Sequence, residues 1–132
     1  GRVVRGRLDA AYERDGRLEL VDFKTGRRYG PDDPWASVQL DLYALAAVET
    51  WGEDPARLRT TYCWLRTDGP AELESTDWDA AAIDRVRASL GASVAAVTAG
   101  RYPAAPGPWC RRCEHLSFCR DGQAALNAMP RQ

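Results

Sequence analysis

Asp22 and Lys24 in the segment VDFKTG are a carboxylate and an amine separated by one residue. If this segment is a strand, both side chains lie on the same face, because side chains alternate along a strand. Lys24 is the only lysine among the 18 Lys and Arg residues of the chain. An ammonium is a compact charge that can stabilise negative charge building on a phosphate, whereas a guanidinium is flat and stays protonated. The pattern favours phosphate-ester hydrolysis if further groups join it; by itself, a D-x-K triplet is equally typical of a surface ion pair.

A second carboxylate, Asp9 in GRLDA, precedes this segment. The intervening RDGR, residues 14–17, contains the Asp-Gly dipeptide that is typical of a two-residue hairpin turn. Such a hairpin brings Asp9 beside Asp22, where the two carboxylates repel each other unless a divalent cation lies between them. Because Mg²⁺ or Mn²⁺ prefers hard oxygen ligands, we predict a metal site formed by Asp9, Asp22 and the backbone carbonyl of Phe23. A water activated there would attack the phosphorus, with Lys24 supporting the attack.

The hydrophobic pattern predicts the elements that must position these groups. Strands are expected at residues 3–14, 17–23 and 57–67, with a partner strand at 71–76. Helices are expected at residues 35–51 and from a cap at Asp77 or Asp79 to Thr98. The order β-β-α-β-β-α describes an α/β chain, followed by a linker at 102–108 and a loop-rich tail. The five tryptophans are interpreted as packing residues.

The composition describes a soluble globular chain. It has 132 residues, 45% of them hydrophobic and 28% charged, which suits one modest core and excludes a disordered chain. No apolar run approaches the length of a membrane span and no secretory signal is present, so we expect a cytoplasmic protein with no membrane partner. The net charge of −1 means that any grip on a nucleic acid must be local. Because the chain starts at Gly1 within a strand-like pattern, we expect it to be a piece of a longer polypeptide.

The segments GRLD, VDFKTG and QLDLYA, in this order, resemble the RecB-like branch of the PD-(D/E)XK nuclease superfamily. The resemblance extends from Gly6 to Cys119. It implies a restriction-endonuclease-like core in which a mixed β-sheet is flanked by helices. It also implies that Asp9 and Asp22 are the metal-binding acids and that Lys24 is the catalytic lysine.

The same resemblance assigns a role to Gln39 and Tyr43 on the predicted helix. These residues are four apart, so they lie on one side of a helix and can both face the active site. An amide and a phenol in that place would orient a phosphate or Lys24. The pattern alone favours a different interpretation for Tyr43, namely a core aromatic residue.

Three cysteines, Cys110, Cys113 and Cys119, form a C-x2-C-x5-C cluster near the C-terminus. In the resembling family this cluster joins an upstream cysteine to hold a [4Fe–4S] cluster, for which four thiolates are the usual ligands. That fourth cysteine would precede this chain, and Cys63 in mid-strand is not a favoured substitute. Zinc held with the help of His115 is the alternative, and an empty site in these 132 residues is a third. The resemblance divides the chain into a nuclease core, residues 1–102, and a Cys-rich tail, residues 103–132.

The resemblance implies a metal-dependent DNA exonuclease, the C-terminal part of a helicase–nuclease of recombination or repair. The helicase would lie in the same chain or in a partner subunit, and Arg7, Arg27 and Arg28 would contact the DNA backbone. The alternative is a catalytically inactive nuclease fold that serves as a DNA-binding or structural module with a metal–sulfur clasp. Active members of the branch usually have a preceding helix whose histidine or glutamate completes the metal site. We therefore expect these 132 residues alone to cleave DNA weakly or not at all.

Overall fold

The computed structural model of the protein describes residues 3–26, 28, 36–66 and 69–129. The chain forms two compact units, Gly1–Ala92 and Ser93–Gln132. The first unit contains the sheet and the predicted hydrolytic groups, and the second contains the cysteine cluster. The division at residue 102 into nuclease core and tail was made on functional grounds and stays a prediction.

The first unit is built on a four-stranded mixed sheet with the strand order β1-β2-β3-β4. The strands are β1 (Ala10–Arg14), β2 (Arg17–Lys24), β3 (Leu58–Trp64) and β4 (Glu72–Asp77). β2 pairs antiparallel with β1 and parallel with β3, and β4 pairs antiparallel with β3. This mixed sheet flanked by helices agrees with the predicted α/β fold and its restriction-endonuclease-like core.

The hairpin between β1 and β2 forms at the predicted Asp-Gly turn. Asp15 and Gly16 have φ angles of 52° and 73°, the left-handed backbone that a type I′ turn requires at both central positions. The turn fixes the register in which Ala10 pairs with Val21. Because Asp9 and Asp22 follow this pair in opposite directions along the two strands, the hairpin brings them to the same end of the sheet.

β1 is shorter than predicted, because it begins at Ala10 and not at residue 3. If the strand continued toward the N-terminus, its register would place Leu8 opposite Phe23. Instead, the Phe23 N–H donates to the carboxylate Oδ2 of Asp9 at 3.0 Å. The side chain takes a hydrogen bond that a backbone carbonyl would accept in a longer ladder. The strand prediction for residues 3–9 is therefore wrong.

Helix α1 (Val38–Ala46) follows β2 and precedes β3 along the chain. It belongs to the crossover that a parallel strand pair requires. It continues into a π-helical segment, Ala47–Trp51, which ends at Gly52 with a φ of 72°. A 3₁₀ turn, Pro55–Arg57, then leads into β3. The predicted helix start at residue 35 lies outside the described residues.

Helix α2 (Ala80–Thr98) follows Asp79, whose carboxylate accepts the Ala82 N–H at 2.6 Å. Asp79 is therefore the cap, whereas the other candidate, Asp77, is the last residue of β4. Among the described residues, no helix is both long enough and apolar enough to cross a membrane.

The core of the first unit joins one face of the sheet to α1 and the start of α2. Leu20 and Leu58 are at most 1% exposed and represent the contribution of the two central strands. The buried members are Leu20, Leu40, Tyr43, Ala44, Leu45, Ala47, Leu58, Tyr62, Trp64, Trp78 and Ile83. Trp64 and Trp78 confirm the packing role predicted for tryptophan. Trp51 and Trp109 are exposed and are not core residues, although the Trp109 ring packs against Gly107, and Trp35 lies outside the described residues.

The second unit contains a 3₁₀ turn, Pro108–Arg112, and helix α3, Arg120–Ala128. The Cys119 thiol caps α3 by accepting the Gly122 N–H at 3.3 Å. The sequence predicts a loop-rich tail and misses α3, because Gly122 within its first turn disfavours a helix.

Leu58→Ala is expected to lower the free energy of unfolding by about 3 kcal/mol, because it removes a fully buried side chain from the centre of the sheet. Leu73→Ala is the matched control, since Leu73 on β4 is 67% exposed, and its effect should stay within about 0.5 kcal/mol. Urea denaturation followed by circular dichroism measures both values. Equal effects for the two variants would contradict the described core.

Candidate active site

Asp22 and Lys24 lie at the end of β2, on the sheet face that also carries the core. Asp22 is paired in register with Tyr62 and Lys24 with Trp64, and paired residues direct their side chains to the same face. Asp22 is 3% exposed, and the Lys24 ammonium lies 2.7 Å from its Oδ2 atom. The D-x-K triplet is thus an ion pair between a buried carboxylate and a partly buried ammonium, and not a pair on the open surface.

Helix α1 supplies the next two groups, Gln39 and Tyr43. The Lys24 ammonium donates to Gln39 Oε1 at 2.5 Å, and Gln39 Nε2 donates to the Tyr43 hydroxyl at 2.7 Å. Because an ammonium can only donate, this contact fixes which end of the amide faces Lys24. The predicted one-sided arrangement of the two helix residues is what these contacts require.

The Tyr43 hydroxyl has a single proton and two nearby acceptors. The Arg7 carbonyl lies 2.5 Å away and Asp22 Oδ1 lies 3.4 Å away, so the proton goes to the carbonyl. Burial raises the pKa of Tyr43, and the nearby Asp22 and Asp9 carboxylates raise it further, against the opposing effect of the Gln39 hydrogen bond. Tyr43 therefore stays protonated at neutral pH. It packs in the core, as the pattern alone predicts, and its role in the active site stays a prediction.

Asp9 completes the set from the hairpin. Its side chain is exposed, and its Oδ2 atom accepts the Phe23 N–H described above. These groups line an open groove of about 510 Å³. It is lined by Gly6, Arg7, Asp9, Asp22, Phe23, Lys24, Gln39, Leu42 and Tyr43. The structure thus brings together all six predicted residues of the hydrolytic and metal site.

Comparison with known families identifies the family of this chain. A family model described as the PD-(D/E)XK nuclease superfamily matches residues 1–120, which is most of the chain. The chain belongs to the PD-(D/E)XK nuclease superfamily. The RecB-like branch within this superfamily stays a prediction.

Comparison with curated proteins finds Gene 69 protein of Mycobacterium phage D29. It is 44% identical over 52 residues, which are 39% of this chain and 18% of the phage protein. The match thus spans less than a fifth of the length of that relative. No solved structure matches the chain.

The PD-(D/E)XK site has the oxygen donors that a hard divalent cation needs. Asp22 Oδ2 is buried and accepts no hydrogen bond of good geometry from the described residues, although the Lys24 ammonium lies 2.7 Å away. The N–H and carbonyl of one strand residue point to the same side, so the Phe23 carbonyl faces the β1 side of the sheet, as its N–H does. The described residues contain no group of three His, Cys, Asp or Glu residues that could hold a metal. Two acids and a carbonyl fit Mg²⁺, which usually keeps several waters.

The predicted DNA-binding arginines differ in their surroundings. Arg7 is exposed at the rim of the groove. Arg28 forms ion pairs with Glu72 and Glu74 of β4, each at 3.1 Å, so DNA would have to compete with two carboxylates for it. Arg27 lies outside the described residues. DNA contact by these residues stays a prediction.

The cysteine cluster lies in the second unit. A Cβ atom built on Gly122 would meet the sulfurs of Cys119 and Cys110 at 3.4 and 3.5 Å, so these two thiols converge on one glycine. Cys113 is exposed, as is His115. Cys63 is buried on β3 in the first unit, as its mid-strand position predicts. An iron–sulfur or zinc site in this cluster stays a prediction.

Sequence reasoning missed Tyr62 as a neighbour of the site. Its ring lies 5.0 Å from the Lys24 ammonium, and its own strand pairs it with Asp22. Spacing in TYCW shows that Tyr62 and Trp64 share a face, but which face requires the parallel register of β2 and β3. No pattern in the sequence states that register.

Tyr43→Phe is expected to lower the free energy of unfolding by about 1–2 kcal/mol, because Gln39 Nε2 and the Arg7 carbonyl would both lose a partner. Tyr12→Phe is the matched control, because Tyr12 on β1 is exposed. Urea denaturation of the two variants gives the comparison. A Tyr43→Phe variant as stable as the control would mean that this hydroxyl does not hold the network.

Proposed function

We propose that the chain is a divalent-metal-dependent deoxyribonuclease domain that acts as an exonuclease on phosphodiester bonds. The observation that carries the proposal is the contact of one ammonium with both Asp22 and Gln39 at an open groove. A partly buried lysine that contacts both a carboxylate and an amide has a fixed orientation. Membership of a nuclease superfamily gives this oriented amine a reaction to support.

The residues of the groove have different roles in the proposed reaction. Asp9, Asp22 and the Phe23 carbonyl would hold Mg²⁺ or Mn²⁺. When bound, such a cation neutralises part of the negative charge that develops on a phosphate. Lys24 donates to a phosphate oxygen and stabilises the same charge from its own direction. Gln39 holds Lys24 in that direction, and the protonated Tyr43 holds the amide of Gln39.

The DNA partner and the biological setting extend this proposal. Arg7 at the rim of the groove is available to a phosphate, and Arg27 and Arg28 are further candidates. With a net charge of −1, the chain has little general attraction for DNA. A helicase in the same chain or in a partner subunit would deliver the strand, and the setting we propose is recombination or repair.

The cysteines belong to the same proposal as a structural cofactor site. Convergence of Cys110 and Cys119 on Gly122 supports a thiolate ligand pair, to which Cys113 would add a third sulfur. A [4Fe–4S] cluster needs a fourth thiolate, and zinc would instead use His115.

A second candidate function is a catalytically inactive nuclease fold that binds DNA or serves as a structural module. The observation in its favour is that no three acidic, histidine or cysteine ligands come together in the described parts of the chain. In this case the Asp22–Lys24 pair would be structural and a divalent cation would not be needed.

Lys24→Ala is expected to lower the rate of DNA degradation by at least about 100-fold, because it removes a donor aimed at the charge of the transition state. Lys24→Arg should not restore the rate, since a flat guanidinium does not fit between Asp22 and Gln39. Labelled single- and double-stranded DNA with Mg²⁺ measures the effect. Because these 132 residues alone are expected to cleave DNA weakly or not at all, the assay uses excess protein.

The control for this experiment is Arg87→Ala, which removes an exposed cation that pairs with Glu49 on the surface. It should degrade DNA like the unchanged protein, and EDTA should stop both. Degradation that persists in EDTA and in Lys24→Ala would contradict the proposed function. Absence of degradation by a longer form of the protein that also contains the preceding helix, with DNA binding retained, would favour the inactive module.

A longer form of the protein that supplies the fourth thiolate is expected to contain iron and acid-labile sulfide after purification. It should show an absorbance band in the blue part of the visible spectrum. Cys113→Ser should lose the band, because an alcohol is a poor iron ligand. Cys63→Ser is the matched control and should keep it. Stoichiometric zinc without sulfide would instead support the zinc alternative.

A further inference from the structure

The Lys24 ammonium has a third neighbour, the ring of Tyr62 on β3. The ammonium lies over this ring at 5.0 Å from its centroid, while Asp22 and Gln39 contact it at 2.7 and 2.5 Å. The three neighbours come from three elements: Asp22 from the strand of Lys24 itself, Gln39 from α1 and Tyr62 from the adjacent strand. A cation over an aromatic face within about 6 Å is attracted by the negative face of the ring.

The ring is held in place independently of Lys24. Tyr62 is 3% exposed and packs against Trp64 with ring centroids 5.6 Å apart and planes tilted by 53°. Trp64 in turn donates from its indole N–H to Glu74 at 3.3 Å. The Tyr62 ring is therefore fixed by its packing, and the parallel register places it beside Asp22.

We propose that Tyr62 is a positioning residue for Lys24. The face of its ring keeps the ammonium from swinging toward β3 and leaves it directed at the groove, where the phosphate would lie. The consequence for turnover rests on the proposed nuclease function, whereas the placement of the amine against the ring does not. The ring, and not the hydroxyl, carries this role.

The first test uses the fact that Lys24 is the only lysine of the chain. Protein labelled with ¹³C-lysine gives one set of lysine side-chain resonances, so no assignment is needed. We expect the Lys24 ε-protons to lie upfield of their free-lysine position because of the ring, with nuclear Overhauser contacts to aromatic protons. Tyr62→Phe should keep this shift, and Tyr62→Leu should remove it.

The matched control is Tyr12→Leu, which makes the same change on an exposed tyrosine of β1. It should leave the Lys24 resonances unchanged. An ε-proton shift that is identical in Tyr62→Leu and the unchanged protein would overturn the proposal. If Tyr62→Leu does not fold, absence of Overhauser contacts between Lys24 and aromatic protons in the unchanged protein would overturn it equally.

The second test is kinetic and uses the same variants on DNA with Mg²⁺. Tyr62→Leu should lower kcat roughly tenfold with little change in KM, because it loosens an amine that acts in the transition state. Tyr62→Phe and Tyr12→Leu should retain kcat. A kcat for Tyr62→Leu equal to that of the unchanged protein, in a preparation that cleaves DNA, would overturn the proposal. If the unchanged protein does not cleave, there is no kcat to compare and the resonance comparison alone decides the role of the ring.

Discussion

The ion pair between the buried carboxylate of Asp22 and the partly buried ammonium of Lys24 is the constraint on which the rest of the site depends. Taking two charges from water costs more than their attraction returns unless further polar groups satisfy them. Here Gln39 accepts from the ammonium, and the Tyr43 hydroxyl approaches the carboxylate. Because Tyr43 also reaches the Arg7 carbonyl, the same network fixes the segment before β1. The groups that satisfy the pair are thus the groups that shape the groove.

The fold meets this constraint through one parallel strand pair and one tight hairpin. The parallel pairing of β2 with β3 requires the crossover that contains α1, and α1 carries Gln39 over the end of β2. The hairpin returns Asp9 to the same end, where its carboxylate replaces a backbone carbonyl as the acceptor of the Phe23 N–H. The crossover and the hairpin therefore bring the acids, the lysine and the amide to one place. Membership of the PD-(D/E)XK superfamily is consistent with a function for this convergence.

Local patterns predicted the parts of the site that depend on local geometry. Alternation placed Asp22 and Lys24 on one face, the Asp-Gly turn set the hairpin, and helical spacing put Gln39 and Tyr43 together. Long-range pairing was beyond these patterns: the sequence does not state that β2 and β3 are parallel, so the place of Tyr62 could not be derived. The late start of β1, at Ala10, was not predicted for a related reason. The sequence does not show that the Asp9 carboxylate accepts the Phe23 N–H in place of a backbone carbonyl. In the tail, α3 was not predicted because glycine disfavours a helix. Gly122 lies beside the sulfurs of Cys110 and Cys119, and the sequence does not show this tertiary contact.

The proposed mechanism requires that Asp22 both pairs with the Lys24 ammonium and binds a divalent metal ion. Titration of Mn²⁺ into the protein, followed by electron paramagnetic resonance, tests it without reference to activity. The account predicts that Asp22→Asn weakens Mn²⁺ binding by at least about tenfold, because a neutral amide replaces a carboxylate ligand. Asp15→Asn, the same change at the exposed hairpin turn, should bind Mn²⁺ like the unchanged protein. Equal Mn²⁺ affinity in the Asp22→Asn and unchanged proteins would contradict the account.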